Sequence, residues 1–95
     1  MAKRTDSNQR EIVDALRKCG ASVFILSNVG KGCPDLLIGM NGKNFLAEIK
    51  DGSKPPSGQK LTEREQVFFN SWKGQVCLLR SIDEVLQLID LIKNN

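Results

Sequence analysis

The sequence contains no histidine. Without an imidazole, Ser-His-Asp hydrolysis, HNH-type nuclease sites and histidine-based zinc fingers are excluded. The three cysteines, Cys19, Cys33 and Cys77, are odd in number and form no CxxC pair, so we expect reduced side chains that serve packing. Any metal site must therefore use carboxylate and carbonyl oxygens, which favour magnesium or manganese over zinc.

Long apolar runs are also absent, since no stretch reaches the roughly 18 residues that a membrane span needs. Residues 1–7 are mostly polar, so we expect no secretory signal and a cytoplasmic location. The chain has 95 residues, of which 40% are hydrophobic and 26% charged, as in a single small globular domain. We expect residues 1–6 to be flexible and residues 51–59 to form a mobile surface loop.

Charge is unevenly distributed along the chain, whose net charge is +3. Residues 1–60 contain ten Lys or Arg against six Asp or Glu, and residues 61–95 contain four against five. A basic first part suits a polyanionic partner such as nucleic acid, although an ordinary solvated surface would have a similar balance.

The spacing of apolar residues and turn signals predicts the order αβββαβα, an α/β fold with a central mixed sheet flanked by helices. Asn41-Gly42 is a strong hairpin signal that joins two of the strands. Capping boxes that begin at Thr62 and Ser81 open the last two helices. The predicted elements are helices at 8–19, from 62 to before Gly74 and from 81 onward, and strands at 22–27, 35–40, 43–50 and 76–79.

The predicted hairpin brings two acids and a lysine together. With the turn at Asn41-Gly42, paired positions add up to about 83, so Asp35 lies opposite Glu48. Strand alternation places Glu48 and Lys50 on one face. Two carboxylates so close repel each other unless a cation lies between them. A neighbouring lysine could then hold a water or stabilise a pentacovalent phosphate during phosphodiester hydrolysis.

These residues resemble a known family. Pro34-Asp35 followed by Glu48-Ile49-Lys50 matches the PD-(D/E)XK nuclease motif, and residues 32–39 with residues 47–50 are similar to the VRR-NUC (virus-type replication-repair nuclease) domain. The resemblance covers nearly the whole chain and implies a restriction-endonuclease-like fold. It also extends to residues 8–13 and to Leu61-Thr62 with Gln66, as in stand-alone phage or bacterial members.

Carried over residue by residue, the resemblance implies a Mg²⁺ or Mn²⁺ site with Asp35, Glu48 and the backbone carbonyl of Ile49 as ligands. It implies that Lys50 is the catalytic lysine. Glu11 matches the acid of the first helix that completes the metal site, and Gln66 matches a helix glutamine near the site. Glu11 could equally be an ordinary surface residue of a first helical turn, and Gln66 could simply face solvent.

The family's short members resemble Holliday-junction resolvases, which implies a DNA repair endonuclease that acts as a homodimer on branched DNA in a bacterial or phage-infected cytoplasm. Four lysines flank the expected site and could contact DNA phosphates or only add solubility: Lys31, Lys43, Lys54 and Lys60. We assign the aromatic stripe Phe68, Phe69 and Trp72 to the core and to a dimer contact. The apolar surface of the last helix is also wider than one core-facing stripe needs.

Three alternatives remain open from the sequence. A nuclease of the same fold could cut ordinary duplex or single-stranded DNA. A module with this fold could bind nucleic acid without turnover, because a fold does not guarantee its chemistry. An interaction subunit could use the apolar C-terminal helix without any affinity for DNA.

Overall fold

The computed structural model describes residues 8–94, so the flexible segment expected over residues 1–6 lies outside the described residues. The helices and strands follow the predicted order. The bounds are α1 Gln9–Lys18, β1 Ser22–Ile25, β2 Leu36–Met40, β3 Lys43–Ile49, α2 Glu63–Ser71, β4 Val76–Leu79 and α3 Ile82–Lys93. None of the helices within residues 8–94 is long and apolar enough to cross a membrane.

The four strands form one mixed sheet in the order β1-β2-β3-β4. The first three strands make an antiparallel meander, and β4 lies parallel to β3. Helix α2 provides the crossover between these two parallel strands, as a parallel connection requires. The mixed sheet predicted from the sequence is therefore confirmed.

The turn between β2 and β3 fixes their register. Asn41 and Gly42 have φ angles of 53° and 75°, the left-handed conformation that a two-residue type I′ hairpin turn needs. Met40 pairs with Lys43, and Leu36 pairs with Ala47. These pairs add up to 83, as predicted.

Strand alternation divides the sheet into two different faces. One face carries Leu36, Ile38, Ala47 and Ile49, which are fully buried in a core shared with helices α1 and α3. The other face carries Leu37 and Glu48, and no residue of helix α2 is buried. Helix α2 thus covers its face of the sheet much more loosely than α1 and α3 cover theirs.

The aromatic stripe on α2 is not part of the core, so the core assignment is wrong, while the dimer contact stays a prediction. Phe68 and Trp72 stack on each other with ring centroids 5.0 Å apart, and Trp72 stays 47% exposed. These two rings line a shallow apolar cavity of about 500 Å³ against Leu37 and Leu46. The last helix leaves Leu86 and Leu91 exposed, in line with its wide apolar surface.

The starts of α1 and α3 both lack a complete side-chain cap. Asn8 is the N-cap residue of α1, but its side chain makes no cap hydrogen bond. At α3, the Ser81 hydroxyl accepts from the Glu84 amide, as predicted. The Glu84 carboxylate, however, accepts from the Arg80 backbone N–H and guanidinium, because the adjacent positive charge offers it stronger hydrogen bonds. The second capping box is therefore only half formed.

The segment between β3 and α2 is largely exposed and contains a short 3-10 helix, Pro56–Gly58, that the sequence did not predict. The Gln59 side-chain amide donates hydrogen bonds to the backbone carbonyls of Gly52 and Lys54. The Gly52 amide in turn donates to the carbonyl of Arg80 at 3.0 Å. These contacts connect the segment to the end of β4.

Candidate active site

The candidate site lies where β3 ends, beside the start of β2. Asp35 directly precedes β2, and the register places it opposite Glu48. Its Oδ2 accepts a hydrogen bond from the backbone N–H of Ile49 at 2.9 Å. This bond ties the Asp35 carboxylate to the strand that carries Glu48, so the predicted juxtaposition of the two acids is confirmed.

Glu48 is a buried acid without a full set of partners. The residue is only 4% exposed, and its Oε1 has no hydrogen-bond partner. Burial, followed by the negative charges of Asp35 and Glu65, raises the pKa of Glu48 to about 9. A buried carboxylate with these neighbours is stable only when it is protonated or when a cation compensates its charge.

Lys50 extends over the same end of the sheet. Its Nζ lies 3.9 Å from Oε2 of Glu48 and 2.9 Å from Oε1 of Glu65. The lysine side chain is 13% exposed, so both contacts are largely shielded from water. The ammonium group is thus closer to Glu65 than to Glu48.

Glu65 is the residue of this cluster that the sequence analysis missed, because its capping-box role on α2 was a sufficient explanation. Burial alone would raise its pKa, but hydrogen bonds from the Thr62 backbone N–H and from Lys50 outweigh burial and lower it. The Thr62 N–H donates to Oε1 of Glu65 at 2.8 Å, and the Glu65 N–H donates to Oγ1 of Thr62 at 3.2 Å. A signal for Glu65 was present in the sequence, because it lies in the first turn of the crossover helix, where a side chain can point toward the sheet.

The supports of this site come from distant segments of the chain. The Asn8 side-chain amide donates to the backbone carbonyls of Lys50 and Arg80, both at 3.1 Å. Gly32 approaches the first turn of α2 so closely that a Cβ would lie 2.6 Å from the carbonyl oxygen of Arg64. Its φ of +81° also favours glycine. These contacts fix the position of the strand end and of the start of α2.

Two of the carried-over residues, Glu11 and Gln66, are exposed on helices α1 and α2. Glu11 is exposed on α1 and lines a cavity with Asp51 and Arg80, since its helix packs against the opposite face of the sheet. Gln66 is exposed, and its side-chain amide donates to Oδ1 of Asn70 at 3.0 Å. The neighbouring residue of α2, Glu65, contacts Lys50.

The four candidate DNA-binding lysines are spread over the surface. Lys31, Lys54 and Lys60 are exposed in the segments that precede β2 and α2. Lys43 begins β3, five residues before Glu48 and so roughly 16 Å from it along the strand. Only the first three lysines therefore lie in segments that lead toward the site.

The residues present fit a divalent cation. The unpartnered Oε1 of Glu48 and the adjacent Asp35 carboxylate are hard oxygen donors of the kind that Mg²⁺ and Mn²⁺ prefer. Within residues 8–94 there is no cluster of three or more His, Cys, Asp or Glu placed to hold a metal ion. A cation here would therefore take its remaining oxygens from the Ile49 carbonyl, water and substrate.

This architecture, a mixed sheet with an Asp, Glu and Lys cluster at the end of its central hairpin, defines a restriction-endonuclease-like nuclease domain. The chain is similar to a solved structure described as a VRR_NUC domain, with 30% sequence identity and a TM-score of 0.58. The similarity covers 86% of this chain and 89% of the solved one. No protein-family model matches the sequence, and no curated protein does. The chain belongs to the VRR-NUC domain family.

Proposed function

We propose that this nuclease domain is a Mg²⁺- or Mn²⁺-dependent endonuclease that hydrolyses phosphodiester bonds in branched DNA, in the manner of a Holliday-junction resolvase. The observation that carries the proposal is the buried carboxylate of Glu48, whose Oε1 has no hydrogen-bond partner, between Asp35 and Lys50. A structural role does not explain this arrangement, because burying one carboxylate beside a second is unfavourable for folding.

Each residue has a distinct proposed role. Asp35, Glu48 and the Ile49 carbonyl would hold the divalent cation, which when bound supplies Lewis-acid activation at the scissile phosphate. Asp35 is kept in place by the Ile49 amide. Lys50 would orient the attacking water and stabilise the negative charge that develops on the phosphate, because its ammonium lies beside the carboxylates. Glu11 and Gln66 are the further site residues that the family resemblance implies.

Substrate binding would use the basic surface around the site. Lys31, Lys54 and Lys60 are exposed and would contact phosphates, with Lys43 as a more distant contact. If a lysine contacts a phosphate, its replacement should lower the slope of log affinity against log salt concentration by about one.

A branched substrate would be engaged by two copies of the chain. Exposed apolar residues on α2 and α3, among them Val67, Trp72 and Leu91, are available for a homodimer contact.

The test is a cleavage panel with four-way, flap, duplex and single-stranded DNA, each with Mg²⁺, Mn²⁺ or EDTA. We expect metal-dependent cleavage with preference for the branched substrates, and no cleavage by Lys50→Met. Lys93→Met, at the end of α3, is the matched control and should cleave like the wild type. Light scattering should give twice the protomer mass of 10.6 kDa.

The other outcomes of the panel separate the alternatives. Equal cleavage of duplex or single-stranded DNA would replace the branched substrate by an ordinary one. Salt-dependent DNA binding with no product in any metal would indicate a non-catalytic binding module. Equal cleavage by wild type and Lys50→Met would remove the proposed role of Lys50.

A further inference from the structure

We propose that Glu65 is the positioning residue of Lys50: its carboxylate holds the lysine ammonium at the end of β3, ready to act beside Glu48. The inference rests on the proposed nuclease function. It assigns a second role, besides the capping box, to a residue that lies outside the PD-(D/E)XK motif.

The first step is the position of the ammonium group. A lysine side chain has four flexible carbons, and without a partner its charge would move through many rotamers into water. Here Nζ of Lys50 lies 2.9 Å from Oε1 of Glu65, a charge-assisted hydrogen bond, and 3.9 Å from Oε2 of Glu48. The stronger of the two contacts is therefore made to the residue outside the carboxylate pair.

The second step is the rigidity of Glu65 itself. Its Oε1 also accepts the Thr62 backbone N–H at 2.8 Å, so the same oxygen closes the capping box and binds the lysine. The side chain is 17% exposed, which limits competition from water. The neighbouring Arg64 backbone lies against Gly32, which fixes the first turn of α2. The start of the helix thus acts as a rigid support for Lys50.

The third step is the division of charge in the cluster. Pairing Lys50 with Glu65 leaves Glu48 without a strong cationic partner, so that carboxylate stays available to a divalent cation. If Glu65 were neutral, the lysine would be free to move to Glu48 or into solvent. Glu65 would thereby keep the lysine adjacent to the cation site without occupying the ligands of that site.

The experiment is Glu65→Gln, which separates the two roles of this side chain. Glutamine at the same helix position can accept the Thr62 N–H and preserve the capping box, but it lacks the negative charge. We expect kcat for the preferred DNA to fall roughly 10- to 100-fold, as for other residues that orient an active-site group, while KM stays within about twofold. Thermal unfolding should remain near that of the wild type.

Glu84→Gln is the matched control. Like Glu65, Glu84 lies three residues after the N-cap residue of its helix, here Ser81. It pairs with a basic side chain, Arg80, at 2.7 Å. This variant should leave kcat and KM unchanged. Glu65→Ala, which removes both the cap and the charge, should lose activity and also unfold at a lower temperature than Glu65→Gln.

A second readout does not depend on cleavage. In NMR spectra that detect lysine side-chain nitrogen, the Lys50 ammonium signal, assigned by its absence from Lys50→Met, should be observable in the wild type and broadened by solvent exchange in Glu65→Gln. Unchanged kcat or an unchanged Lys50 signal in Glu65→Gln would overturn the positioning role. Neither result would affect the nuclease proposal, which depends on the wild type and Lys50→Met.

Discussion

The substitution Glu48→Gln should stabilise the protein in the absence of divalent cations. Glu48 is 4% exposed, and burial beside Asp35 raises its pKa to about 9. In the unfolded chain the carboxyl returns to its ordinary value of 4.5. Between these values the folded state binds a proton that the unfolded state releases, so stability falls as the pH rises through this window.

The size of the effect follows from this difference. Each pH unit inside the window costs about 1.4 kcal/mol. The roughly 2.5 units from the ordinary pKa of 4.5 to pH 7 therefore correspond to about 3 kcal/mol. Glutamine resembles the protonated acid in shape and needs no proton, so it should recover most of this energy. For a domain of this size, a gain of that order raises Tm by more than about 10 °C.

The assay is thermal and urea unfolding in EDTA at several pH values between 5 and 9. Wild type should lose stability steadily over this range, and Glu48→Gln should lose much less. The control is Asp90→Asn, which removes an exposed acid on α3 and should change stability by less than about 0.5 kcal/mol. Added Mg²⁺ should raise the Tm of the wild type but not that of Glu48→Gln, because a charged carboxylate binds the cation much more strongly than a neutral amide.

A Glu48→Gln protein that is less stable than the wild type at pH 8 would refute the reasoning. So would a wild-type stability that is constant between pH 5 and 9. Either result would mean that Glu48 is ionised and well compensated in the folded protein. The carboxylate pair would then need no cation to compensate its charge.

Two further predictions concern the framework of the site. Gly32→Ala should destabilise the fold by about 3 kcal/mol, since a Cβ at this left-handed backbone position would lie 2.6 Å from the Arg64 carbonyl oxygen. Gly30→Ala, with a similar φ but open space around it, should cost only about 1 kcal/mol. Equal losses of stability in the two variants would contradict the close packing of Gly32. Leu16→Ala, at a fully buried core position, should lower the free energy of unfolding in urea by about 2–5 kcal/mol. Leu86→Ala, at a half-exposed position, should lower it far less. Similar losses would mean that α1 is not part of the core.

The meander, the crossover and the alignment of Asp35 with Glu48 could be predicted because their signals are local. A two-residue turn at Asn41-Gly42 leaves one register for the strands on either side, and a strand period of two then decides which side chains share a face. The position of Lys50 beside Glu48 follows from the same rule. The candidate carboxylates and lysine were therefore accessible from the sequence.

The sequence by itself determined the order of the elements, the hairpin register and the two acids and lysine at its end, because turn chemistry and periodicity act between near neighbours. Only the tertiary structure decided that Glu65 binds Lys50, that Asn8 binds the carbonyls at the strand ends rather than capping its helix, and that Glu11 lines a cavity with Asp51 and Arg80. These contacts depend on where each helix packs against the sheet, and that position is set by side chains distant in sequence.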